Sequence, residues 1–246
     1  VNPQAARERV TAYAPVLRQK KVLIVGGGVA GCEAARVLAI RGHLPVLYEK
    51  GSRLGGNLLP DGAPEFKEDD LALARWYADE LARLRVPVYL NTVLTRSQIL
   101  EQDFDALIIA TGSTPKVFSL GDDDRVYTAA QVLLGEKDCG RETVVVGGGL
   151  VGCETALWLA QHGKKVTIVE TLDGLMAANG PLCHANRDML EALLPFQGVT
   201  VGYREEDSLY RELEFDVPEL YLLGDARKVS NIMYAIWDAF EVANHI

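Results

Sequence analysis

The sequence is poor in the residues that mark several common classes of protein. It holds four cysteines in 246 residues, and no two of them form a C-x-x-C pair, so neither a secreted disulfide framework nor a zinc knuckle is expected. The net charge is −9, which argues against a nucleic-acid partner or an anionic membrane surface. No apolar run has the length of a bilayer span, and the N-terminus has no apolar signal-peptide core. We therefore expect a cytoplasmic protein.

The sequence also lacks a recognisable set of catalytic side chains. Its four histidines are scattered, and no serine–histidine–aspartate or cysteine–histidine arrangement is apparent. Cys183 and His184 are adjacent, but no second pair stands at the spacing of metal ligands. We therefore predict no catalytic side chain and no metal ligand.

Glycine, by contrast, is abundant, and one glycine-rich turn occurs twice. VLIVGGGVAGCEAA covers residues 22–35, and VVVGGGLVGCETA covers residues 144–156. Matching positions are separated by a constant 121 residues, and the match continues to an acidic residue in each copy. The matched pairs are Gly26 and Gly147, Gly28 and Gly149, Gly31 and Gly152, and Glu49 and Glu170. Two copies in register predict a repeated structural unit.

Each copy has the spacing of a dinucleotide-binding βαβ unit. The first glycine permits the tight turn from strand to helix, the second lets the backbone approach a pyrophosphate, and the third lets the helix pack closely on the strand. The helix N-terminus offers unpaired N–H groups to the phosphates. Glu49 and Glu170 each follow the first glycine of their copy by 23 residues, where a carboxylate accepts hydrogen bonds from ribose hydroxyls. A tight turn without a ligand is the alternative, and it is less favoured for two copies than for one.

Glu170 also predicts which nucleotide the second copy binds. A 2′-phosphate on the ribose would be repelled by this carboxylate and would call for a nearby arginine, which Val169-Glu170-Thr171 does not supply. We therefore expect NAD rather than NADP in the second site. Glu49 suits an unphosphorylated AMP half, as in FAD.

Hydrophobic periodicity predicts alternating parallel strands and helices. For the first copy we expect strands at 21–25, 45–49, 88–90 and 106–110, and helices at 28–41 and 69–85. For the second copy we expect strands at 143–146, 166–170 and 199–204, a helix that ends at residue 163, and another helix around 188–194. Trp76, Trp158 and Trp237 stand at core spacing on helices, and we expect them to pack rather than to stack on a ligand.

The order of further motifs resembles the flavoproteins with two dinucleotide-binding domains. After the first glycine turn come YEK, RLGGN and IIATGSTP, and after the second come VE and LYLLGDA. The resemblance implies an α/β fold of two Rossmann-like domains, the second inserted into the first. It implies FAD at the first turn, NAD(H) at the second, and a flavin contact at Gly224-Asp225. The implied FAD-binding domain comprises residues 1–118 and 205–246, and the NAD(P)-binding domain comprises residues 119–204.

The two ends of the chain are similar to a narrower group. VNPQAARERV before the first strand and IMYAIWDAFEVANHI at the end resemble the C-terminal FAD/NAD(P)-binding portion of old-yellow-enzyme-like reductases with iron–sulfur clusters. That group includes 2,4-dienoyl-CoA reductase, enoate reductase and trimethylamine dehydrogenase. In it, an FMN-binding TIM barrel and the cluster precede this portion. The resemblance thus implies an electron acceptor outside this chain. That acceptor would be such an FMN- and cluster-containing barrel portion, which this chain does not include.

The candidate cofactor-binding residues combine the two glycine turns with the motifs of the resemblance. In the first copy they are Gly26, Gly28, Val29, Ala30, Gly31, Glu49, Lys50, Gly55, Gly56, Asn57, Val93, Ala110, Thr111 and Gly112. In the second copy and beyond it they are Gly147, Gly149, Leu150, Val151, Gly152, Glu170, Gly202, Gly224 and Asp225.

Two features depart from the family pattern. Only about thirty residues separate Glu170 from VGYR (201–204), which is short for the remaining strands of a second domain. Either that domain is shortened, or residues are missing from the sequence. The redox cysteine pair of the disulfide reductases is also absent.

These features predict an FAD-dependent oxidoreductase that passes electrons from NADH through FAD to an acceptor outside this chain. One alternative is a non-redox module of a larger enzyme that binds only ADP or FAD. A disulfide reductase is the other alternative, and the missing cysteine pair disfavours it.

Overall fold

Short apolar segments form the strands of two parallel sheets, as the alternation of strand and helix patterns predicts. The computed structural model of the chain describes residues 13–114, 124–172, 174–177 and 184–203. The chain divides into two compact units, Val1–Glu136 and Lys137–Ile246. Every strand pairing within the described residues is parallel, which confirms the predicted α/β class.

The first unit contains a four-stranded sheet. Its strands are β1 (Lys21–Val25), β2 (Leu44–Tyr48), β3 (Val88–Tyr89) and β4 (Ala106–Ile109), in the spatial order β3-β2-β1-β4. Its helices are α1 (Val29–Arg41), α2 (Leu58–Asp61), α3 (Glu68–Arg83), α4 (Arg96–Leu100) and α5 (Ala129–Leu133), with a 3-10 turn at Glu65–Lys67. Ile24 and Leu47 on the sheet and Leu81 on α3 are fully buried in one cluster with residues of α1. The core of this unit therefore lies between one face of the sheet and the helices α1 and α3.

The second unit repeats the beginning of the first. Its strands are β5 (Glu142–Val146), β6 (Lys165–Glu170) and β7 (Thr200–Tyr203), in the order β5-β6-β7, and its helices are α6 (Leu150–Gln161) and α7 (His184–Phe196). β5, α6 and β6 begin 121 residues after β1, α1 and β2. Ile168 on the sheet and Leu190 and Leu194 on α7 are fully buried. The predicted repeat is thus a βαβ unit that each half of the chain forms separately.

Several predictions about single elements need correction. The helices α2, α4 and α5 were not expected, because each spans only four or five residues. Two of them begin with capping boxes, Thr95 with Gln98 and Thr128 with Gln131, which the sequence carries as T-x-x-Q. Trp76 was expected in the core, but 44% of its surface is exposed, and its ring lies beside the Arg36 guanidinium. A helix face with one amphipathic aromatic residue does not by itself reveal how deeply that residue is buried.

The expected domain limits are described only in part. α5 packs against α2 in the first unit, and that unit ends at Glu136. The return of residues 205–246 to the first domain falls outside the described residues, so these limits stay a prediction. In the part of the chain that the structure describes, no helix has both the length and the apolar character needed to cross a bilayer.

Candidate functional site

The first glycine turn joins β1 to α1 and leaves no room for a side chain at its first and third glycines. The N–H of Gly26 donates to the carbonyl oxygen of Tyr48 at 2.8 Å, and the φ angle of Gly26 is +110°. A Cβ atom built on Gly26 would lie 2.2 Å from the carbonyl oxygen of Ala110, and one built on Gly31 would lie 1.9 Å from that of Gly26. Both contacts are far shorter than van der Waals distance, so the backbone path requires glycine at both positions.

The N-terminus of α1 is open to a ligand. Its N-cap residue is Gly28, which has no side chain that could cap the helix, and the first turn contains no acidic residue. Val29 and Ala30 are exposed, while Gly31 is buried against the sheet. The first-turn N–H groups have no partner within an α-helix and favour an anion, so this end of α1 fits a phosphate group.

Glu49 lies beneath the turn and anchors it. Its Oε2 atom accepts from the N–H of Gly27 at 2.6 Å, and its Oε1 atom accepts from the N–H of Gly51 at 2.6 Å. A carboxylate has about four acceptor positions. Since two of those positions are used, Glu49 can still accept two further hydrogen bonds, which matches the two hydroxyls of a ribose.

The RLGGN loop covers the same turn. The N–H of Gly55 donates to the carbonyl oxygen of Gly27 at 2.9 Å, and Gly28 and Gly55 form a parallel bridge. Gly55 and Gly56 have φ angles of +122° and +54°, and a Cβ on Gly56 would lie 2.9 Å from the Cα of Gly28. Asn57 is exposed and begins α2. The wall of the site here is therefore backbone.

The other candidates of the first unit follow the strand ends. Lys50 is exposed after β2, and Val93 is 69% exposed in the loop after β3. Ala110, Thr111 and Gly112 follow β4, and the N–H of Ala110 donates to the carbonyl oxygen of Val25 at 2.8 Å. The structure thus brings all of the first-copy candidates to the carboxyl ends of the parallel strands, which is the usual ligand edge of an α/β sheet.

The second turn follows a similar path, although a Cβ built on Gly147 would meet no described atom within 4 Å. Gly147 has a φ angle of +103°, and a Cβ on Gly152 would lie 1.9 Å from its carbonyl oxygen. The N-cap of α6 is Gly149, and no acidic residue follows in the first turn, where Leu150 and Val151 lie. Gly202 is in β7, where it pairs with Val169. Gly224 and Asp225 lie outside the described residues.

Glu170 differs from Glu49 in how fully it is bonded. Its Oε2 accepts from the N–H of Gly148 at 2.6 Å, as Glu49 does from Gly27. Its Oε1 accepts three further bonds, from Thr171 N at 2.6 Å, Leu172 N at 2.9 Å and the Thr171 hydroxyl at 3.2 Å. Burial acts to raise the pKa of Glu170, but the backbone N–H groups of Leu172, Gly148 and Thr171 outweigh it and hold the pKa below its ordinary value. Only Oε2 has room for another donor.

The repeat extends beyond the residues that sequence comparison matched. Leu54 and Leu175 are 121 residues apart, and each would contact a Cβ on the central glycine of its turn, Gly27 or Gly148. Met176 occupies the position of Gly55, and its N–H donates to the carbonyl oxygen of Gly148 at 2.7 Å. The constant offset of 121 residues was the signal that could have found these positions. Leucine is kept at the first of these positions, but Gly55 is replaced by Met176 at the second, so the glycine motif itself did not show them.

The cysteines of the two turns are structural. Cys32 and Cys153 are fully buried, and their thiols donate to the carbonyl oxygens of Gly27 and Gly148 at 3.3 Å. Burial, with the Glu49 carboxylate nearby, raises the pKa of Cys32 to about 12. Burial, with Glu170 nearby, raises the pKa of Cys153 to about 11. Neither thiol is suited to redox exchange, which requires an accessible thiolate.

Two strand–turn–helix units, each with a glycine N-cap at the start of its helix and a carboxylate beneath the turn, define an α/β protein of the dinucleotide-binding class. The chain belongs to the pyridine nucleotide-disulphide oxidoreductase family, whose model matches residues 20–206. Membership in this family, with relatives named as a reductase and an NADH oxidase, supports the predicted class of FAD-dependent oxidoreductase with FAD and NAD(H) as cofactors.

Known proteins of greater length contain similar sequences and folds. The chain is 45% identical to cinnamate reductase of Clostridium sporogenes over 280 residues, covering 100% of this chain and 42% of that protein. It is 34% identical to the NADH oxidase of Thermoanaerobacter brockii over 287 residues, covering 99% and 44%. A solved 2-naphthoyl-CoA reductase complex matches with a TM-score of 0.76 at 25% identity, covering 100% and 43%. The predicted resemblance to the larger flavoprotein reductases is confirmed, and the chain spans less than half the length of these relatives.

Proposed function

We propose that the first unit binds FAD, that the second binds NAD(H), and that electrons pass from NADH through FAD to an acceptor outside this chain. The observation that carries the proposal is the matched pair of turns, because each has a third glycine packed against its own backbone, a glycine N-cap at the start of its helix and a half-buried carboxylate bonded to its central glycine. One such turn could be a tight connection without a ligand. Two with the same anchoring bond favour a protein that brings two nucleotides into one reaction.

Different residues of the first unit would contact different parts of the FAD molecule. The N–H groups at Val29, Ala30 and Gly31 would face the pyrophosphate at the N-terminus of α1. Glu49 would accept the ribose hydroxyls through its two unused positions, with Lys50 and Val93 at the adenine end. Gly55, Gly56 and Asn57 would border the pyrophosphate and the ribityl chain, and Ala110, Thr111, Gly112, Gly224 and Asp225 would complete the flavin side.

The residues of the second unit perform the same tasks for NAD(H). Gly147, Gly149, Leu150, Val151 and Gly152 form the turn that would hold the pyrophosphate, and Gly202 borders the site from β7. Glu170 would accept a ribose hydroxyl at Oε2. Because four bonds already occupy this carboxylate, it would grip the ribose less fully than Glu49 does. A looser grip suits a nucleotide that must leave after each turnover.

The bound flavin would supply the electron-transfer chemistry through its isoalloxazine ring. The chain's own part is to bind, orient and exclude water, and no side chain is assigned a proton-transfer role. Cys32 and Cys153 are not suited to disulfide reduction, because their thiols are buried and their raised pKa values keep them protonated.

We extend the proposal to the domain plan. The FAD-binding domain would comprise residues 1–118 and 205–246, and a shortened NAD(P)-binding domain, residues 119–204, would be inserted between them as the second Rossmann-like domain. The alignment with cinnamate reductase runs over 280 positions against 246 residues here, so that relative contains residues this chain lacks. The outside acceptor would be an FMN- and cluster-containing barrel portion of a longer protein.

The test is an absorbance spectrum of the purified chain followed by anaerobic addition of NADH. We expect flavin bands that bleach with NADH and bleach less with an equal concentration of NADPH. Flavin bands that do not bleach would leave FAD binding intact and remove the NADH role. A colourless protein that FAD cannot reconstitute would favour the module that binds only a nucleotide and would overturn the oxidoreductase proposal.

A further inference from the structure

We propose that Arg187 is a positioning residue of the second nucleotide site, holding the loop at 174–177 against the glycine turn. This inference rests on the proposed NAD(H) role of the second unit. Arg187 was not among the candidate residues, and it lies 17 residues after Glu170 on a different element, α7. The structure links it to the turn through one intervening residue, Met176.

The loop fixes the central peptide of the turn from one side. The N–H of Met176 donates to the carbonyl oxygen of Gly148 at 2.7 Å, while the N–H of Gly148 donates to Glu170 Oε2 at 2.6 Å. The residue that follows Gly147 is therefore held at both its carbonyl and its amide. If the loop shifted, the carbonyl of Gly148 would be released, and of these two bonds only the one to Glu170 would still hold Gly148 in place.

Met176 adopts a conformation that methionine rarely takes. Its φ angle is +57°, in the left-handed region, and its side chain is fully buried. A non-glycine residue is strained there and persists only when its surroundings enforce the geometry. At the matching position the first unit has Gly55, which reaches such angles without that cost. The second unit therefore needs an additional contact to hold this backbone conformation, which the first unit does not need.

Arg187 provides that contact. Its Nη2 atom donates to the carbonyl oxygen of Met176 at 3.1 Å. Arg187 precedes Leu190 and Leu194 by three and seven residues on α7, so it continues the face that buries both leucines. Its Nε atom is buried without a hydrogen-bond partner among the described residues. Arg187 as a whole is half-buried, and a buried N–H left without a partner is costly, which indicates that the bond to Met176 is what this arginine contributes.

In the first unit the corresponding loop is held in place by a backbone hydrogen bond and by packing on a helix. The carbonyl oxygen of Gly55 accepts from the N–H of Leu58 at 3.1 Å, within the loop that begins α2. A Cβ on Gly55 would lie 2.9 Å from the Cβ of Ala74, so that loop rests directly on α3. In the second unit the longer Arg187 side chain makes the link between the loop and α7 instead.

The experiment uses the full chain loaded with FAD and measures the dissociation constant of ADP-ribose by titration calorimetry. We expect Arg187→Met to raise that constant about tenfold, since it removes one hydrogen bond from a charged donor. Arg187→Lys should recover part of the loss, because an ammonium group can still donate to the carbonyl of Met176. Lys165→Met removes an exposed cation from the same unit and should leave the constant unchanged.

Met176→Gly separates positioning from general stability. Glycine adopts the left-handed angle without strain but leaves the space of the fully buried Met176 side chain empty, so the reference for the rescue is the single variant Met176→Gly. In that background, adding Arg187→Met should change the dissociation constant of ADP-ribose by less than about threefold, because no strain remains for the arginine to hold. Parent-like binding by Arg187→Met, or a further loss of about tenfold when Arg187→Met is added to a folded Met176→Gly variant, would overturn the proposal.

Amide hydrogen exchange distinguishes failure of this proposal from failure of the proposed function. If the parent chain does not bind ADP-ribose, the NAD(H) role fails. Exchange at the Met176 amide still tests Arg187, because that amide is bonded to the turn. Faster exchange in Arg187→Met than in the parent supports the positioning role, and equal exchange overturns it.

Discussion

At the scale of single residues, the third glycine of each turn is the position with the least space for a side chain. A Cβ on Gly31 or Gly152 would stand 1.9 Å from a carbonyl oxygen of its own turn. We expect Gly31→Ala to abolish FAD retention and to destabilise the first unit by about 1–3 kcal/mol, the usual range for overpacking. Gly152→Ala should instead abolish NADH binding and leave the FAD content near that of the parent. Flavin absorbance and NADH titration measure the two effects.

Gly140→Ala is the matched control. Its nearest neighbour would be 3.8 Å from the new Cβ, which is ordinary contact, and we expect no change in either binding measurement. If Gly31→Ala retained FAD as the parent does, the backbone path at the first turn would not be the FAD site.

Glu170 gives the second unit a pH dependence of definite sign. Its pKa is held below the ordinary value of 4.5 by backbone donors, so its charged form stabilises the folded state. That contribution is fully present above the ordinary value and is lost as the pH falls through the lower, folded-state value. We expect the melting temperature of the parent to exceed that of Glu170→Gln at pH 7, and the difference to shrink as the pH falls below 4.5.

Thermal unfolding between pH 7 and pH 3 checks this expectation. Glu142→Gln is the control, because Glu142 lies exposed in the same unit and pairs with Lys165 at the surface. A difference between parent and Glu170→Gln that did not change with pH would show that the hydrogen bonds to Glu170 do not depend on its charge.

At the scale of helices and strands, the crossover helices α3 and α7 are the elements that close each core. Leu81 on α3 and Leu190 on α7 are both fully buried, in different units. We expect Leu81→Ala and Leu190→Ala each to cost about 2–5 kcal/mol of unfolding free energy. Leu81→Ala should weaken FAD retention first, and Leu190→Ala should weaken NADH binding first.

Denaturant titration gives the unfolding free energies, and flavin absorbance and NADH titration give the loss of each nucleotide. Leu73→Ala on the solvent side of α3, where the side chain is 36% exposed, is the control and should cost far less. Equal loss of both nucleotides in both core variants would mean that the two units do not unfold separately.

The long elements could be predicted because their patterns repeat over several turns. The strands and the helices α1, α3 and α6 begin or end within two residues of the expected positions, since burial of one face dictates the periodicity. The helices α4 and α5 span five residues each and have no such periodicity, so only their capping boxes could have indicated them. α7 was predicted too short, because its first residues carry no apolar pattern.

At the scale of the whole molecule, the two units are variations on one design. β1-α1-β2 and β5-α6-β6 begin at an offset of 121 residues, and both carry the bond between a central glycine and a carboxylate. They diverge after the carboxylate, where Met176 and Ala177 stand at the positions of Gly55 and Gly56. The proposed difference between a retained and an exchanging nucleotide follows from the fuller hydrogen bonding of Glu170.

The sequence by itself determined the fold class, the repeat and the two nucleotide turns, because a backbone that must approach itself or a phosphate closely admits only glycine. The positions of Glu49 and Glu170 were set by the same spacing. Only the tertiary structure decided how fully each carboxylate is bonded, and that Arg187 reaches the turn through Met176. Those contacts join residues on separate elements, and their formation depends on how the helices pack rather than on any local pattern.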